Sequence, residues 1–297
     1  MEEMLLTGAS GFLGEIISKD FPMKICKLGR SAHMDIVCDL ATNIPNLSTS
    51  FKIVTHAAGK AHTIPKTDVD KRAFFDINVN GLNNLFKGLE RCTKLPESFI
   101  LISSVSVYGL DFGIDITEDY PLEAKDPYGM SKIEAENLAF QWCELNKVKL
   151  TILRLPLIAG NNPPGNLGAM ITGIEKGYYM NIGNGNARKS IVLGSDVARV
   201  IPTISNIGGT YNLTDGYNPS FFELSSYIAR ELGKRPSKDI PLFIAKGIAM
   251  LGDILGAHAP LSTMKLNKVL STLTFSDQKI KNTIDWEPIS VLEGLKL

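Results

Sequence analysis

The stretch Met4-Leu5-Leu6-Thr7-Gly8-Ala9-Ser10-Gly11-Phe12-Leu13-Gly14 joins a short apolar run to three glycines spaced three residues apart. Such glycines allow a tight turn after a strand and let the backbone approach a pyrophosphate, whose charge then lies at the positive end of the following helix. A glycine-rich turn without a ligand is the alternative, but a strand before the turn and a helix after it favour dinucleotide binding. We therefore expect a dinucleotide to contact Gly8, Ser10, Gly11, Phe12, Leu13 and Gly14.

The rest of the N-terminal half alternates apolar runs of strand length with segments of helical period. The predicted strands are Met4–Leu6, Lys24–Leu28, Ile53–His56, Phe99–Ser103 and Leu150–Leu153, and helices are predicted to begin near Gly11, Lys71 and Ser131. This alternation is typical of a parallel sheet with crossover helices, which binds its ligand at the carboxyl ends of the strands. The predicted fold class is α/β: a Rossmann-type doubly wound parallel sheet with a smaller C-terminal α/β substrate lobe.

The character of the chain changes after residue 157, where Asn, Pro and Gly are concentrated and the apolar runs become shorter. We expect residues 1–157 to form the dinucleotide-binding domain and residues 158–297 the smaller lobe, with some segments of the latter returning to the first domain. In the smaller lobe, Ser220 and Glu223 form a capping box that predicts a helix ending at Gly233.

The longest apolar segment runs from Pro241 to Leu255 and is interrupted by Lys246 and Asp253. It is shorter than the roughly 20 apolar residues needed to cross a bilayer. We interpret it as an amphipathic core helix and expect no membrane insertion.

Composition limits the class of partner. With 31 Lys and Arg and 31 Asp and Glu residues, the formal net charge is zero, so no global basic field indicates a nucleic-acid partner, although a local basic pocket stays open. The scattered cysteines Cys26, Cys38, Cys92 and Cys143 indicate reduced thiols, no structural metal and a cytoplasmic protein. The N-terminus lacks the basic and apolar regions of a secretory signal.

Tyr128 and Lys132 are four residues apart, so on one helix both side chains lie on the same face. A phenol with a pKa of about 10 is a poor base at neutral pH, but a nearby ammonium and a positively charged nicotinamide both favour the phenolate. This spacing also occurs by chance in many helices. Ser104, at the end of a predicted strand, supports the catalytic interpretation because its hydroxyl can bond the substrate oxygen that Tyr128 protonates or deprotonates.

The end of the second strand indicates the choice of cofactor. A carboxylate there would bind the ribose hydroxyls of NAD, whereas an arginine favours the 2′-phosphate of NADP. This chain has Gly29-Arg30-Ser31, so we expect NADP(H), with NAD(H) and a solvated Arg30 as the alternative. Asp39 and Leu40 are expected to flank the adenine ring.

With these residues in place, the chain resembles the extended short-chain dehydrogenase/reductase family, also called the NAD-dependent epimerase/dehydratase family. The resemblance covers almost the full length and includes the glycine turn, His56-Ala57-Ala58-Gly59, Asn78-Val79-Asn80-Gly81, Ser103 to Gly109, Tyr128 to Lys132, Leu153-Arg154-Leu155-Pro156 and Ile284 to Pro288. It implies that Ser104, Tyr128 and Lys132 are the catalytic triad and that the smaller lobe binds a nucleoside-diphosphate sugar. It further implies a homodimer and cofactor contacts from Ala57, Ala58, Gly59, Asn78, Tyr128, Lys132 and Pro156.

One reaction of this family is argued against by the residues after Ser104. Sugar-nucleotide 4,6-dehydratases carry an Asp-Glu pair there, whereas this chain has Val105-Ser106, and neither side chain transfers a proton near neutral pH. A 4-epimerase with retained NAD and a 4-ketoreductase that consumes NAD(P)H remain. Arg30 favours the reductase, and the resemblance is closest to enzymes acting on UDP-N-acetylhexosamines, in particular those that reduce a UDP-4-keto-6-deoxy-N-acetylhexosamine.

Candidate substrate residues follow from the same resemblance and from charge. Arg188 or Lys189, with Asn166, could hold the diphosphate by charge-assisted hydrogen bonds; a surface charge and a helix cap are the alternatives. The late arginine of the epimerases has no clear match unless Lys265 or Lys268 replaces it. The substrate set is completed by His62, Ser104 and Ser106. A dinucleotide sensor or scaffold is the rival class, but it would need only the glycine turn and not the triad.

Overall fold

The predicted strands all form and lie side by side in one parallel sheet. The computed structural model describes residues 2–61, 63–255 and 262–297. Its strands are β1 Glu2–Thr7, β2 Ile25–Gly29, β3 Ile36–Val37, β4 Phe51–His56, β5 Ser98–Ser104, β6 Gly113–Ile116, β7 Lys149–Leu155, β8 Leu157–Ala159, β9 Met180–Ile182, β10 Ile191–Leu193, β11 Gly209–Asn212, β12 Lys238–Ile240 and β13 Leu273–Phe275. Across these ranges, the main sheet has seven strands in the order β11-β7-β5-β4-β1-β2-β3.

The helices cover both faces of this sheet. They are α1 Phe12–Asp20, α2 Asp68–Phe75, α3 Gly81–Leu89, α4 Pro127–Asn146, α5 Gly165–Glu175, α6 Gly194–Ile204, α7 Phe221–Glu231, α8 Leu242–Leu255, α9 Thr263–Leu270, α10 Gln278–Thr283 and α11 Val291–Gly294. A π-helical stretch, Asp76–Asn80, joins α2 to α3, and a 3-10 turn, Val105–Tyr108, follows β5.

The side chains of β1 alternate between two apolar cores, which explains why helices cover both faces of the sheet. Met4 and Leu6 belong to the core that includes Ile17 of α1 and Val197 of α6, whereas Leu5 belongs to the core under α3 and α4. Successive residues of a strand point to opposite faces, so a strand that is apolar at every position must be buried on both. The predicted doubly wound α/β fold is confirmed.

Two helices begin earlier than the apolar pattern predicts, because polar caps set their starts. Thr67 and Asp70 form a capping box ahead of α2. Asp126 accepts hydrogen bonds from the Tyr128 and Gly129 amides, both at 3.1 Å, with Pro127 as the first helical residue of α4. A capped first turn with proline at this position is a strong helix start, and it places Tyr128 inside the helix.

The segment after β7 contributes elements both to the smaller lobe and to the main sheet and its helices. β11 pairs with β7 in the main sheet, and α6 packs against α1. The remaining strands form pairs: β8 with β10, β9 with β12 and β6 with β13. α7 has the predicted capping box at Ser220 and Glu223, and Gly233 just beyond its end has a φ of 63°.

α8 forms as predicted, but its predicted place in the core is wrong. Its small residues Ala245 and Ala249 are buried against Leu266 of α9, whereas Phe243 and Ile254 are 75% and 82% exposed. The inward face holds the small side chains, so the large apolar ones point outward. Within the described ranges, no helix has both the length and the apolar character that crossing a bilayer requires.

Candidate active site

The glycine turn lies at the carboxyl end of β1 and is packed too closely for side chains. A Cβ on Gly14 would lie 2.0 Å from the carbonyl oxygen of Gly8, and one on Gly8, whose φ is 70°, would lie 2.5 Å from the amide nitrogen of Ala58. Gly11, the N-cap of α1, has no side chain to satisfy the first amides of the helix. Those amides and the helix dipole suit an anion, so the turn fits the pyrophosphate of a dinucleotide.

Thr7 connects the glycine turn to the segment that follows β4. Its Oγ1 accepts a hydrogen bond from the Ala58 amide at 3.2 Å and lies 2.8 Å from Nδ1 of His56. Burial, helped by the charge of Lys132, lowers the pKa of His56 to about 3, so the imidazole is neutral at physiological pH. These contacts fix the segment Ala57, Ala58 and Gly59 beside Gly8.

The adenosine side of the site opens beyond β2. Arg30 is exposed, and its side chain borders an open cavity of about 490 Å³ whose other walls are Val37, Cys38, Asp39, Asn43, Ile44 and Asn46. Asp39 Oδ1 accepts a hydrogen bond from the Ala41 amide at 3.1 Å, and Leu40 is buried. Arg30 and Asp39 therefore line the same open cavity beyond β2.

The proposed catalytic side chains converge between β5 and α4. Ser104 Oγ accepts a hydrogen bond from the Ser106 amide at 3.2 Å and lies 3.0 Å from Ser106 Oγ. Ser104 lies close enough to the Tyr128 hydroxyl to oppose the rise in the pKa of that phenol. Three hydroxyls thus meet at the carboxyl end of β5, where a doubly wound sheet binds its ligand.

The protonation of Tyr128 and Lys132 is governed by burial. Burial raises the pKa of the Tyr128 phenol, with Ser104 opposing and Asp126 adding to the rise. The Lys132 ammonium, which is expected to favour the phenolate together with a bound nicotinamide, donates a hydrogen bond to the carbonyl oxygen of Ile102 at 2.6 Å. Burial also lowers the pKa of Lys132 to about 8, with Glu136 opposing.

A buried ion pair that sequence reasoning missed lies directly behind these groups. Glu136 lies one helical turn beyond Lys132, and it accepts a hydrogen bond from Ser103 at 2.5 Å and pairs with Arg154 at 2.8 Å. Arg154 also donates to the Tyr108 hydroxyl at 3.1 Å. The signals available in the sequence were the spacing of Tyr128, Lys132 and Glu136 at every fourth residue and an arginine inside an apolar strand.

Asn78 lies in the π-helical stretch and is 2% exposed. Its amide donates to Ser131 Oγ at 2.8 Å, and its Oδ1 accepts from the Lys60 amide at 2.7 Å. It thereby connects the α2–α3 segment, α4 and the loop after Gly59. A π-bulge moves a side chain out of regular helical register, which is frequent at functional sites.

The predicted substrate residues are placed differently from one another. Arg188 donates to the Asn218 carbonyl at 2.9 Å and pairs with Glu223 at 3.3 Å, so its guanidinium is engaged toward α7. Lys189 is half-buried, and burial lowers its pKa while Asp111 opposes.

Asp111 also forms a 3.1 Å ion pair with Lys268. The structure therefore brings Lys189 and Lys268 to the loop that follows the catalytic turn. Asn166 is exposed as the second residue of α5, Pro156 lies between β7 and β8, and His62 lies outside the described residues.

Comparison with known proteins agrees with this geometry. The profile of the NAD dependent epimerase/dehydratase family matches residues 4–213. The N-acetyl-alpha-D-glucosaminyl-diphospho-ditrans,octacis-undecaprenol 4-epimerase of Escherichia coli O157:H7 is 26% identical over 317 aligned residues, covering 99% of this chain and 93% of that protein.

Two solved structures share the fold. MoeE5 in complex with UDP-glucose and NAD superimposes with a TM-score of 0.74 at 19% identity, covering 98% of this chain and 95% of that one. RMD from Pseudomonas aeruginosa complexed with NADPH gives a TM-score of 0.70 at 19% identity, covering 99% and 96%.

The family, fold class and enzyme class predicted from the motifs are thus confirmed, and a nicotinamide dinucleotide is the cofactor class. The chain belongs to the NAD-dependent epimerase/dehydratase family and is an NAD(P)-dependent sugar-nucleotide enzyme of the extended short-chain dehydrogenase/reductase type.

Proposed function

We propose that this enzyme reduces the 4-keto group of a UDP-linked 4-keto-6-deoxy-N-acetylhexosamine with NADPH. The observation that carries the proposal is the combination of the Tyr128–Ser104 hydroxyl pair with Arg30 at the end of β2. The hydroxyl pair supplies a proton and a hydrogen bond to one oxygen atom, and Arg30 supplies a cation for a 2′-phosphate.

The chain's own groups account for the proton transfer. When bound, the reduced cofactor supplies the hydride that adds to C4 of the sugar. Tyr128 donates its phenolic proton to O4 as the carbonyl becomes an alkoxide, and Ser104 donates a hydrogen bond to the same oxygen. The raised pKa of Tyr128 keeps this proton in place until charge develops on O4.

Lys132 and the ion pair behind it hold the geometry. Lys132 lies one turn beyond Tyr128 and is anchored to Ile102, two residues before Ser104. Glu136 joins the same helix to Ser103. The tyrosine on α4 and the serine on β5 are therefore fixed relative to each other by short buried bonds, which orients both hydroxyls. For the substrate diphosphate, we assign Lys189 and Lys268 as the cations.

A 4-epimerase is the second candidate, and the Escherichia coli relative favours it. By its name, that protein epimerises C4 of N-acetylglucosamine carried on undecaprenyl diphosphate. An epimerase would use the same Tyr128 and Ser104 in both directions with a retained NAD, on a diphosphate linked to uridine or to a polyprenol. Dehydration is disfavoured because Ser106, hydrogen-bonded to Ser104, stands where an acidic residue is needed.

Cofactor stoichiometry separates the two candidates. We expect UDP-4-keto-6-deoxy-N-acetylglucosamine to be reduced with one NADPH oxidised per sugar, followed by the loss of absorbance at the reduced-nicotinamide wavelength. UDP-N-acetylglucosamine and its undecaprenyl-diphosphate counterpart should remain unchanged. Conversion of either of those sugars to its C4 epimer without net cofactor turnover would assign the epimerase instead.

A further inference from the structure

The outer face of α8 presents a continuous set of large apolar side chains. Ile254, Phe243, Met250 and Leu251 are between 64% and 82% exposed, and Met264 at the start of α9 is 67% exposed. At 100° per residue, the most exposed members of α8 project from the side of the helix opposite Ala245 and Ala249. A contiguous apolar surface of this kind indicates an interaction site.

This orientation is set by specific contacts. Ala245 and Ala249 pack on Leu266, and Asp253 near the end of α8 accepts hydrogen bonds from both the amide and the hydroxyl of Thr263 at the start of α9. The two helices therefore form a pair, called here the α8–α9 pair, whose small residues face inward. Because the small residues occupy the inward face, the large apolar residues of α8 point toward solvent.

The segment that contains the α8–α9 pair is rich in basic residues. Residues 234–268 carry six basic side chains against two acidic ones, whereas the whole chain has no net charge. Both acidic residues are exposed and accept hydrogen bonds: Asp239 from the Asn184 amide at 2.7 Å, and Asp253 from the Thr263 amide at 2.9 Å. The basic residues are exposed: Lys234, Arg235, Lys238, Lys246, Lys265 and Lys268.

We propose that the α8–α9 pair docks the enzyme on the surface of an anionic phospholipid bilayer. α8 has 14 residues and is about 21 Å long, too short for the roughly 30 Å hydrocarbon core, so it lies along the interface. Its apolar face enters the boundary between headgroups and acyl chains, and the basic residues Lys234, Arg235, Lys238 and Lys246 meet the lipid phosphates. Charge complementarity selects an anionic surface over a neutral one.

Docking in this way places the active site near the membrane. Lys268 of α9 pairs with Asp111, and β13 directly after α9 pairs with β6, so the α8–α9 pair is connected to the loop that follows Ser104. The loop that follows Ser104 is therefore held close to the lipid headgroups. The proposal goes beyond the reaction and is independent of which nucleotide or lipid carries the sugar.

Vesicle co-sedimentation with the full chain tests the proposal. Wild type is expected to sediment with phosphatidylcholine vesicles that contain phosphatidylglycerol and to bind pure phosphatidylcholine weakly. Phe243→Gln/Met250→Gln/Ile254→Gln should lower the partition coefficient by at least about 10-fold, because three large apolar groups no longer enter the lipid. The matched control is Leu145→Gln, a residue of α4 that is 82% exposed, like Ile254, and it should bind as wild type does.

A variant that removes three basic residues provides a second test in the same vesicle assay. Lys234→Gln/Arg235→Gln/Lys238→Gln should weaken binding to the anionic vesicles on the order of 100-fold, since each basic residue near such a surface contributes about 1 kcal/mol. All variants should keep the wild-type thermal midpoint and the wild-type turnover of a water-soluble UDP-sugar, which shows that they are folded.

Failure of wild type to bind anionic vesicles, or equal binding by the triple apolar variant, would overturn the proposal. So would concentration-dependent self-association of wild type, measured by sedimentation velocity, that disappears in the triple apolar variant while vesicle binding is absent from both. That result would show that the outer face of α8 is an interface between two copies of this chain.

Discussion

Glu136 and Arg154 form a buried ion pair, with 2.8 Å between Oε2 and Nη2 and side chains that are only 4% and 7% exposed. The pair lies one helical turn beyond Lys132 and bonds Ser103, next to Ser104. A charge pair in this position costs desolvation free energy that a purely apolar pair would not. Its benefit is orientation, because it ties α4, β5 and β7 together behind the reacting hydroxyls.

Glu136→Gln should lower the free energy of unfolding by about 3–5 kcal/mol, because the Arg154 guanidinium is left buried and unpaired. It should also lower the pKa of Lys132 further below its value of about 8, since Glu136 is the group that raises it. Urea unfolding checks the first effect and the alkaline limb of the rate against pH checks the second. Glu136→Leu/Arg154→Met, which removes both charges, should recover much of the stability; no recovery would mean that hydrogen bonds rather than charge dominate.

His56 should make the fold sensitive to acid. Its pKa is about 3 in the folded protein against 6.5 normally, so between these values the unfolded chain binds a proton that the folded chain does not. Between pH 6.5 and about 3, the free energy of unfolding should therefore fall by at most about 1.4 kcal/mol for each pH unit. Urea unfolding of His56→Gln should lack this contribution, whereas His33→Gln, at an exposed position, should retain it. An unchanged acid limb in His56→Gln would contradict the assignment.

Gly14 and Gly247 form a matched pair of helical glycines. A Cβ on Gly14 would lie 2.0 Å from the Gly8 carbonyl oxygen, whereas a Cβ on Gly247 meets nothing within 4 Å. Gly14→Ala should lower the free energy of unfolding by at least about 2 kcal/mol and abolish cofactor binding. Gly247→Ala should raise it by about 0.5–1 kcal/mol. Thermal unfolding and NADPH fluorescence titration measure both; normal NADPH binding by Gly14→Ala would refute the packed turn.

Arg30→Gln should raise the KM for NADPH by about 10–100-fold and leave the KM for NADH nearly unchanged, because only NADPH has a 2′-phosphate for the guanidinium to bind. Arg91→Gln, at another exposed arginine, should change neither constant. Steady-state kinetics with the two cofactors provides the comparison. An equal loss with both cofactors would remove Arg30 from cofactor selection.

The sheet and its motifs were predictable because each depends on local sequence: apolar runs for the strands, glycine spacing for the turn, and four-residue spacing for Tyr128 and Lys132. The first residues of α2 and α4 were less predictable, because the N-caps Thr67 and Asp126 start these helices several residues before their apolar pattern begins. The Glu136–Arg154 pair depends on the meeting of α4 with β7, which no local pattern encodes.

The outward face of α8 was missed for a related reason. An apolar segment predicts burial, but only the small residues of α8 are buried. The packing of α8 against α9 determines which face of the helix is buried. The contact of Arg188, one of the two cations predicted at the substrate diphosphate, with Glu223 likewise depends on packing between segments that are distant in the sequence.

In the proposed reaction, Tyr128 delivers a proton to O4 while a hydride reaches C4 of the sugar. The most direct test incubates the enzyme with UDP-4-keto-6-deoxy-N-acetylglucosamine and NADPH dideuterated at C4 of the nicotinamide, and locates the label by NMR. We predict one deuterium at C4 of the sugar for each NADPH oxidised, and no product from Tyr128→Phe, although that variant still binds NADPH. Unlabelled product would rule out direct hydride transfer to C4, and wild-type turnover by Tyr128→Phe would rule out Tyr128 as the proton donor.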